Sequence, residues 1–179
     1  MIYLDNAATS FPKPRSVVDA LYKCVTDYCG NPGRSSHVLS RLASEAIFDA
    51  RENVCDLFGI NTPERVVFTY NATYALNLAI KVLIDSPCHV ITSDIEHNAV
   101  VRPLEKLARK IGIRVSEFDS DMDIRSQIEA LISPDTRAIV STLCSNVTGK
   151  TIPISQLSEI AKERGLLLIL DASQAVGHI

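Results

Sequence analysis

The 179-residue chain is 46% hydrophobic and 22% charged, with 7 Gly and 8 Pro, a balance that excludes a disordered tract or a fibrous repeat. Its 18 Lys plus Arg against 21 Asp plus Glu leave a net charge of −3, which offers no electrostatic footprint for a nucleic acid. A chain of this length buries roughly two thirds of its unfolded surface, so one domain with a core that needs no staple is expected.

The opening Met1-Ile2-Tyr3-Leu4-Asp5-Asn6 lacks the basic start and apolar run of a signal peptide. The longest strongly apolar stretch, residues 166–170, falls far short of the roughly 20 residues that cross a bilayer, so no membrane association is expected. Cys24, Cys29, Cys55, Cys88 and Cys144 form an odd set with no CxxC pair and no neighbouring His cluster. Neither a disulfide framework nor a metal site is expected, and a reducing cytoplasm suits them.

Along residues 36–58 the apolar positions Leu39, Leu42, Ala46, Ala50, Val54 and Leu57 recur at three- and four-residue steps and Gly59 follows, which predicts a long amphipathic helix with a glycine stop. Short β-branched runs then alternate with helical patterns. Strands are predicted over 66–69, 90–92, 113–118, 138–142 and 166–170, and helices over 72–84, 98–111, 123–132 and 155–164. Such alternation predicts an α/β fold of three layers, α/β/α, with a mostly parallel sheet covered on both faces. Gly59, Gly112 and Gly165 are evenly spaced, but the residues between them do not match, so the spacing is architectural. The run 166–170 has the character of a sheet-interior strand and only residues 171–179 follow it, which leads us to expect a piece of a longer protein.

Open parallel sheets bind ligands beyond the carboxyl ends of their strands, and four segments place polar residues there. In Thr69-Tyr70-Asn71-Ala72-Thr73 a strand hands over to a helix, whose free N–H groups and dipole favour an anion such as phosphate; a plain cap by Asn71 or Thr73 is the alternative. Ser93-Asp94-Ile95-Glu96-His97-Asn98 puts the His97 imidazole at a helix start, where it either stacks on a flat ligand or serves as a surface or capping residue. Ser145-Asn146-Val147-Thr148-Gly149 has the spacing of a turn, with the Asn146 amide placed to bond a ligand. Asp171, ending the apolar run before Ala172-Ser173-Gln174, is a desolvated carboxylate that needs a cationic ligand or backbone donors to stay ionised.

These segments, together with Tyr3-Leu4-Asp5-Asn6-Ala7-Ala8-Thr9, Asn31-Pro32-Gly33-Arg34 and the extension of the last motif to His178, resemble in order and spacing the fold-type I pyridoxal-phosphate enzymes. Within these the chain is most similar to the class V aminotransferase group, and there to the cysteine desulfurases and selenocysteine lyases. The resemblance runs the length of the chain and implies that residues 1–179 are an N-terminal segment plus most of the cofactor-binding large domain, the rest of that domain and a small C-terminal domain lying beyond. It implies that Ala72 and Thr73 hold the pyridoxal 5'-phosphate phosphate group, that His97 stacks on the pyridine ring as the catalytic histidine, and that Asp171 pairs with the ring nitrogen. Gln174 would bond the phenolic oxygen, and Asn146 would lie near that oxygen or the substrate carboxylate. A small amino-acid substrate, a homodimer and a protein sulfur acceptor are implied as partners. Asn6, Ala7, Ala8, Arg34 and His37 receive no role.

The departures are as informative. The family's Schiff-base Lys lies past the Asp-x-x-Gln motif, and Lys81, Lys106, Lys110, Lys150 and Lys162 match no such segment. The sulfur-accepting Cys and the Arg that grips the substrate carboxylate also lie further on, which leaves the five cysteines as core or structural thiols. The resemblance therefore implies removal of sulfur or selenium from cysteine or selenocysteine to leave alanine by the whole protein. Another class V aminotransferase or pyridoxal-phosphate lyase, or a non-catalytic truncated chain that binds a partner, are the alternatives.

Overall fold

The β-branched and aliphatic runs of the second half of the chain become one parallel sheet, and the first third, which carries no such run before Val66, is helical. The computed structural model describes residues 2–33 and 36–178, and the chain divides into two compact units, Met1–Phe68 and Thr69–Ile179, where the length had led us to expect one domain.

In the first unit, α1 (Arg15–Lys23) runs into a π-helical segment, Cys24–Tyr28, and α2 spans Val38–Phe58. The periodicity of α2 is legible in the sequence, and its ends have physical causes. The His37 ring accepts a hydrogen bond from the Ser40 amide at the start, and Gly59 closes the end at a φ of 63°. Gly30 passes so close to α2 that a Cβ there would lie 2.7 Å from the Leu39 carbonyl, which only glycine allows. The strand expected over residues 66–69 does not form. Val67 and Phe68 are exposed and no described residue offers a ladder partner, so β propensity has no hydrogen bonds to act through.

The second unit contains α3 (Ala72–Leu83), β1 (His89–Ser93), α4 (Asn98–Ile111), β2 (Arg114–Phe118), α5 (Ile124–Leu131), β3 (Thr136–Thr142), α6 (Ile154–Arg164) and β4 (Leu167–Asp171). The strands are all parallel in the order β2-β1-β3-β4. Side-chain alternation divides the core into two layers. Val90, Ala138, Val140 and Ile169 pack with Leu76 and Ile80 of α3 and Val100, Leu104 and Leu107 of α4. Ile91, Phe118 and Ile139 pack with Ile124 and Ile128 of α5 and Leu157 and Ile160 of α6. This is the expected α/β/α arrangement, and Gly112 and Gly165, at φ 76° and 65°, terminate α4 and α6 as the spacing suggested.

Two features position the ligand edge. The connection from β1 leads outward to β2, whereas β3 lies on the other side of β1, so the strand order reverses between β1 and β3 and opens a crevice at their carboxyl ends. At the opposite end, the buried His89 ring hydrogen-bonds Thr136 Oγ1 at 2.8 Å and Ser116 Oγ at 2.9 Å, which ties β1 to both neighbours. Among the described residues β4, read from the sequence as a sheet-interior strand, has a neighbour on one side only.

Candidate active site at the carboxyl edge of the sheet

The edge is assembled from the ends of β1, β3 and β4, three adjacent strands, and from the start of α3. A short link carries α3 from its C-terminus into the amino end of β1, so its N-terminus lies at the carboxyl edge. There Asn71 Oδ1 accepts the Tyr74 amide at 2.8 Å, which settles the capping alternative in favour of Asn71 and leaves the first-turn amides of Ala72 and Thr73 ahead of any intrahelical acceptor. Both residues are exposed. A helix start of this kind favours an anion, and the Thr73 hydroxyl adds a donor.

Beyond β1, the chain turns through Ser93 and Asp94 into α4, and His97 is the N-terminal cap of that helix. Its Nδ1 accepts the Ala99 amide at 3.1 Å, so the neutral ring carries its proton on Nε2, and the ring itself is exposed. His97 is thus the cap that the position allows, and its ring is exposed. Beyond β3, Ser145 closes the expected turn: its amide donates to the Lys150 carbonyl and its carbonyl accepts from Gly149, each at 2.9 Å. Gly149 takes a φ of 72°, and Asn146 stands exposed on the turn.

Asp171 ends β4 and is 7% exposed. Its Oδ1 accepts the Ser173 amide at 3.0 Å and the Ser173 hydroxyl at 2.5 Å, and no Lys or Arg pairs with it among the described residues. A turn, not a helix, follows, so the capping alternative takes the form of an Asx turn. A nearly buried carboxylate held by two donors from one residue, without a cation, is an acceptor available to a positively charged or N–H-bearing ligand. Gln174 follows in that turn, half-buried.

Glu96, which has no role of its own in the sequence motif beside His97, is a second, part-buried carboxyl group at this edge. Glu96 Oε1 accepts hydrogen bonds from Ser93 Oγ and, at 2.7 Å, from the Thr142 amide, so one carboxyl group spans the ends of β1 and β3. Its Oε2 is buried without a partner among the described residues. Burial, and to a smaller degree the charge of Asp171, pushes the Glu96 carboxyl up to about 7 against the hydrogen bonds from Ser93 and Thr142. The signal available in the sequence was a Glu three residues after the Ser that ends a strand.

Asn6 and His37 belong to the first unit: Asn6 Oδ1 accepts the Phe11 amide at 3.0 Å and His37 caps α2. Arg34 lies outside the described residues. Among the described residues no group of His, Cys, Asp and Glu has the makings of a metal site, and all five cysteines are unpaired.

Comparison with known proteins places the chain in a family. The sequence profile described as Aminotransferase class-V matches residues 2–179. A protein of Streptomyces coelicolor named probable cysteine desulfurase is 33% identical over 100% of this chain and 45% of its own length. A cysteine desulfurase of Nostoc sp. is 36% identical, again over 100% of this chain and 45% of its own length. The solved apo structure of a cysteine desulfurase from Thermococcus onnurineus superposes with a TM-score of 0.89 at 30% identity, covering 99% of this chain and 45% of that one. The chain thus spans less than half the length of the curated relatives it matches.

Proposed function

Because the chain belongs to the class V aminotransferase family, we propose that residues 69–179 are most of the cofactor-binding domain of a pyridoxal-phosphate-dependent cysteine desulfurase, and that the whole protein removes sulfur or selenium from cysteine or selenocysteine to leave alanine. The observation that carries this reading is Asp171, a nearly buried carboxylate without a cation among the described residues, at the edge of the sheet where open α/β folds take their ligands. The donor set fits the cofactor: amides for a phosphate at the start of α3, an exposed imidazole at the start of α4, and an anion at the end of β4.

When bound, pyridoxal phosphate supplies a protonated pyridine ring that draws electron density from the α-carbon of an amino acid. In this reading the Ala72 and Thr73 amides and the Thr73 hydroxyl bind the phosphate. His97 would stack on the pyridine ring. Asp171 holds the proton on the ring nitrogen, and its burial strengthens that interaction beyond what an exposed carboxylate supplies. Gln174 bonds the phenolic oxygen, and Asn146 reaches that oxygen or the substrate carboxylate.

The reading includes a homodimer, supported by the exposed Tyr74, Leu78 and Val82 along one side of α3, and a protein sulfur acceptor, which the family resemblance implies. The unpaired thiols among the described residues support a cytoplasmic site of action; no helix of the described residues is long and apolar enough to cross a membrane. The test is the product mixture formed by the intact protein from cysteine in the presence of pyridoxal phosphate and an excess of a dithiol reductant, which supplies the two electrons that turn the released zero-valent sulfur into sulfide. Alanine and sulfide in equal amounts are expected. Transamination of cysteine without sulfide assigns the chain to an aminotransferase instead, and neither product supports a binding module.

A further inference from the structure

The end of β1 and the end of β3 are not held together by main-chain hydrogen bonds alone. Glu96 Oε1 collects the Ser93 hydroxyl from β1 and the Thr142 amide from β3. The next residue of β3's exit, Leu143, donates its amide to the Asp171 carbonyl at 2.9 Å, and Thr142 Oγ1 lies 3.4 Å from the same oxygen. On the other side, Glu96 is joined directly to His97, whose ring is fixed through the Ala99 amide. One carboxyl group therefore stands in a continuous path from the exposed imidazole to the buried Asp171.

We propose that Glu96 is a positioning residue, a clasp between β1 and β3 that fixes the separation of His97 and Asp171 and so sets the slot into which the cofactor ring fits. The inference rests on the cofactor reading given above, which assigns no role to Glu96. Oε1 carries both contacts of the clasp, whereas Oε2 is buried without a partner among the described residues. That asymmetry is informative. A group placed only to fill space or to stay charged has no need to desolvate an oxygen that bonds nothing, and the cost of burying it has to be met by what Oε1 holds in place. It also yields a discriminating substitution. Glu96→Gln retains an oxygen at the Oε1 position and therefore the clasp, while Glu96→Ala releases both strand ends.

The experiment uses the intact protein and pyridoxal phosphate itself, with three readouts taken on the same preparation: the dissociation constant of the cofactor, the visible circular dichroism per bound cofactor, and the thermal midpoint. A loose slot lets the ring take several orientations, so Glu96→Ala is expected to raise the dissociation constant by about tenfold or more and to lower the ellipticity per bound cofactor. Glu96→Gln is expected to keep the dissociation constant within about threefold of wild type and to restore the ellipticity. If Glu96→Ala does not fold, Ser93→Ala, which removes one of the two anchors, is expected to give a smaller change in the same direction. Wild-type affinity and ellipticity in Glu96→Ala, or in Ser93→Ala where that variant stands in, overturn the clasp. So does a Glu96→Gln variant as impaired as Glu96→Ala. Wild-type protein that binds no pyridoxal phosphate overturns the cofactor reading and the clasp with it, whereas normal wild-type binding with an indifferent Glu96→Ala overturns the clasp alone.

Discussion

Glu96 and His89 sit at opposite ends of β1, and burial discourages the charged form of each. Glu96 has its carboxyl raised from 4.5 to about 7, so the folded state holds that proton more tightly than the unfolded chain. Stability attributable to Glu96 is therefore full below about 4.5 and is lost as the pH rises through about 7. The loss is of order 3 kcal/mol, and Glu96→Gln is expected to remove that slope, as urea unfolding of both proteins at acid and alkaline pH would show. His89 works in the other sense. Burial first, and the Arg114 charge second, lower its folded value below the usual 6.5, so its contribution is present above 6.5 and is lost as the pH falls below it. His89→Gln is expected to flatten the acid limb of the unfolding midpoint against pH, while wild type steepens there. Asp171 was legible at this scale because an apolar run ending in a carboxylate is a local pattern. Glu96 was not, because its importance comes from Thr142, 46 residues away, which no window of sequence contains.

At the scale of elements, most of the secondary structure follows from local signals. Helices with glycine stops and strands with aliphatic alternation lie within one or two residues of their expected positions, since caps and side-chain period are local properties. Two elements failed for the converse reason. Residues 66–69 have strand composition but no ladder partner among the described residues, and α1 is a nine-residue helix with no buried side chain, too short for its period to register. The start of α3 gives the sharpest prediction. Asn71→Ala is expected to cost about 1 kcal/mol through the lost cap and to weaken pyridoxal-phosphate binding, whereas Asn71→Ser restores both, as calorimetric unfolding and cofactor titration of the two variants would check. An Ala variant with unchanged stability and affinity would mean that the α3 start is held, and used, by something else.

For the whole molecule, the three-layer class followed from alternation, but the strand order did not. That β1 and β3 are neighbours depends on which way two crossovers run, a choice made by packing across the sheet and not written in any one segment. The same order leaves β2 and β4 as edges among the described residues, with Leu167, Leu168 and Leu170 of β4 only half-buried. Unpaired backbone groups beside apolar side chains promote association, so the 179-residue chain is expected to self-associate at micromolar concentration. Light scattering that gives a clean monomer would contradict this.

In the proposed function the carboxyl edge grips pyridoxal phosphate through Asp171. That grip is tested most directly by alanine formation from cysteine in the intact protein carrying Asp171→Ala, measured at saturating cofactor with excess dithiol to take up the released sulfur, beside cofactor affinity and thermal midpoint. With the ring nitrogen deprived of its charge partner, turnover is expected to fall by about a hundredfold or more, while affinity changes far less because the α3 start and His97 remain. The midpoint is expected to reflect only the lost Ser173 contacts, about 1 kcal/mol. Near-normal turnover in the Ala variant, with the same small loss of stability, would show Asp171 to be an Asx-turn residue and nothing more, with no part in holding the cofactor.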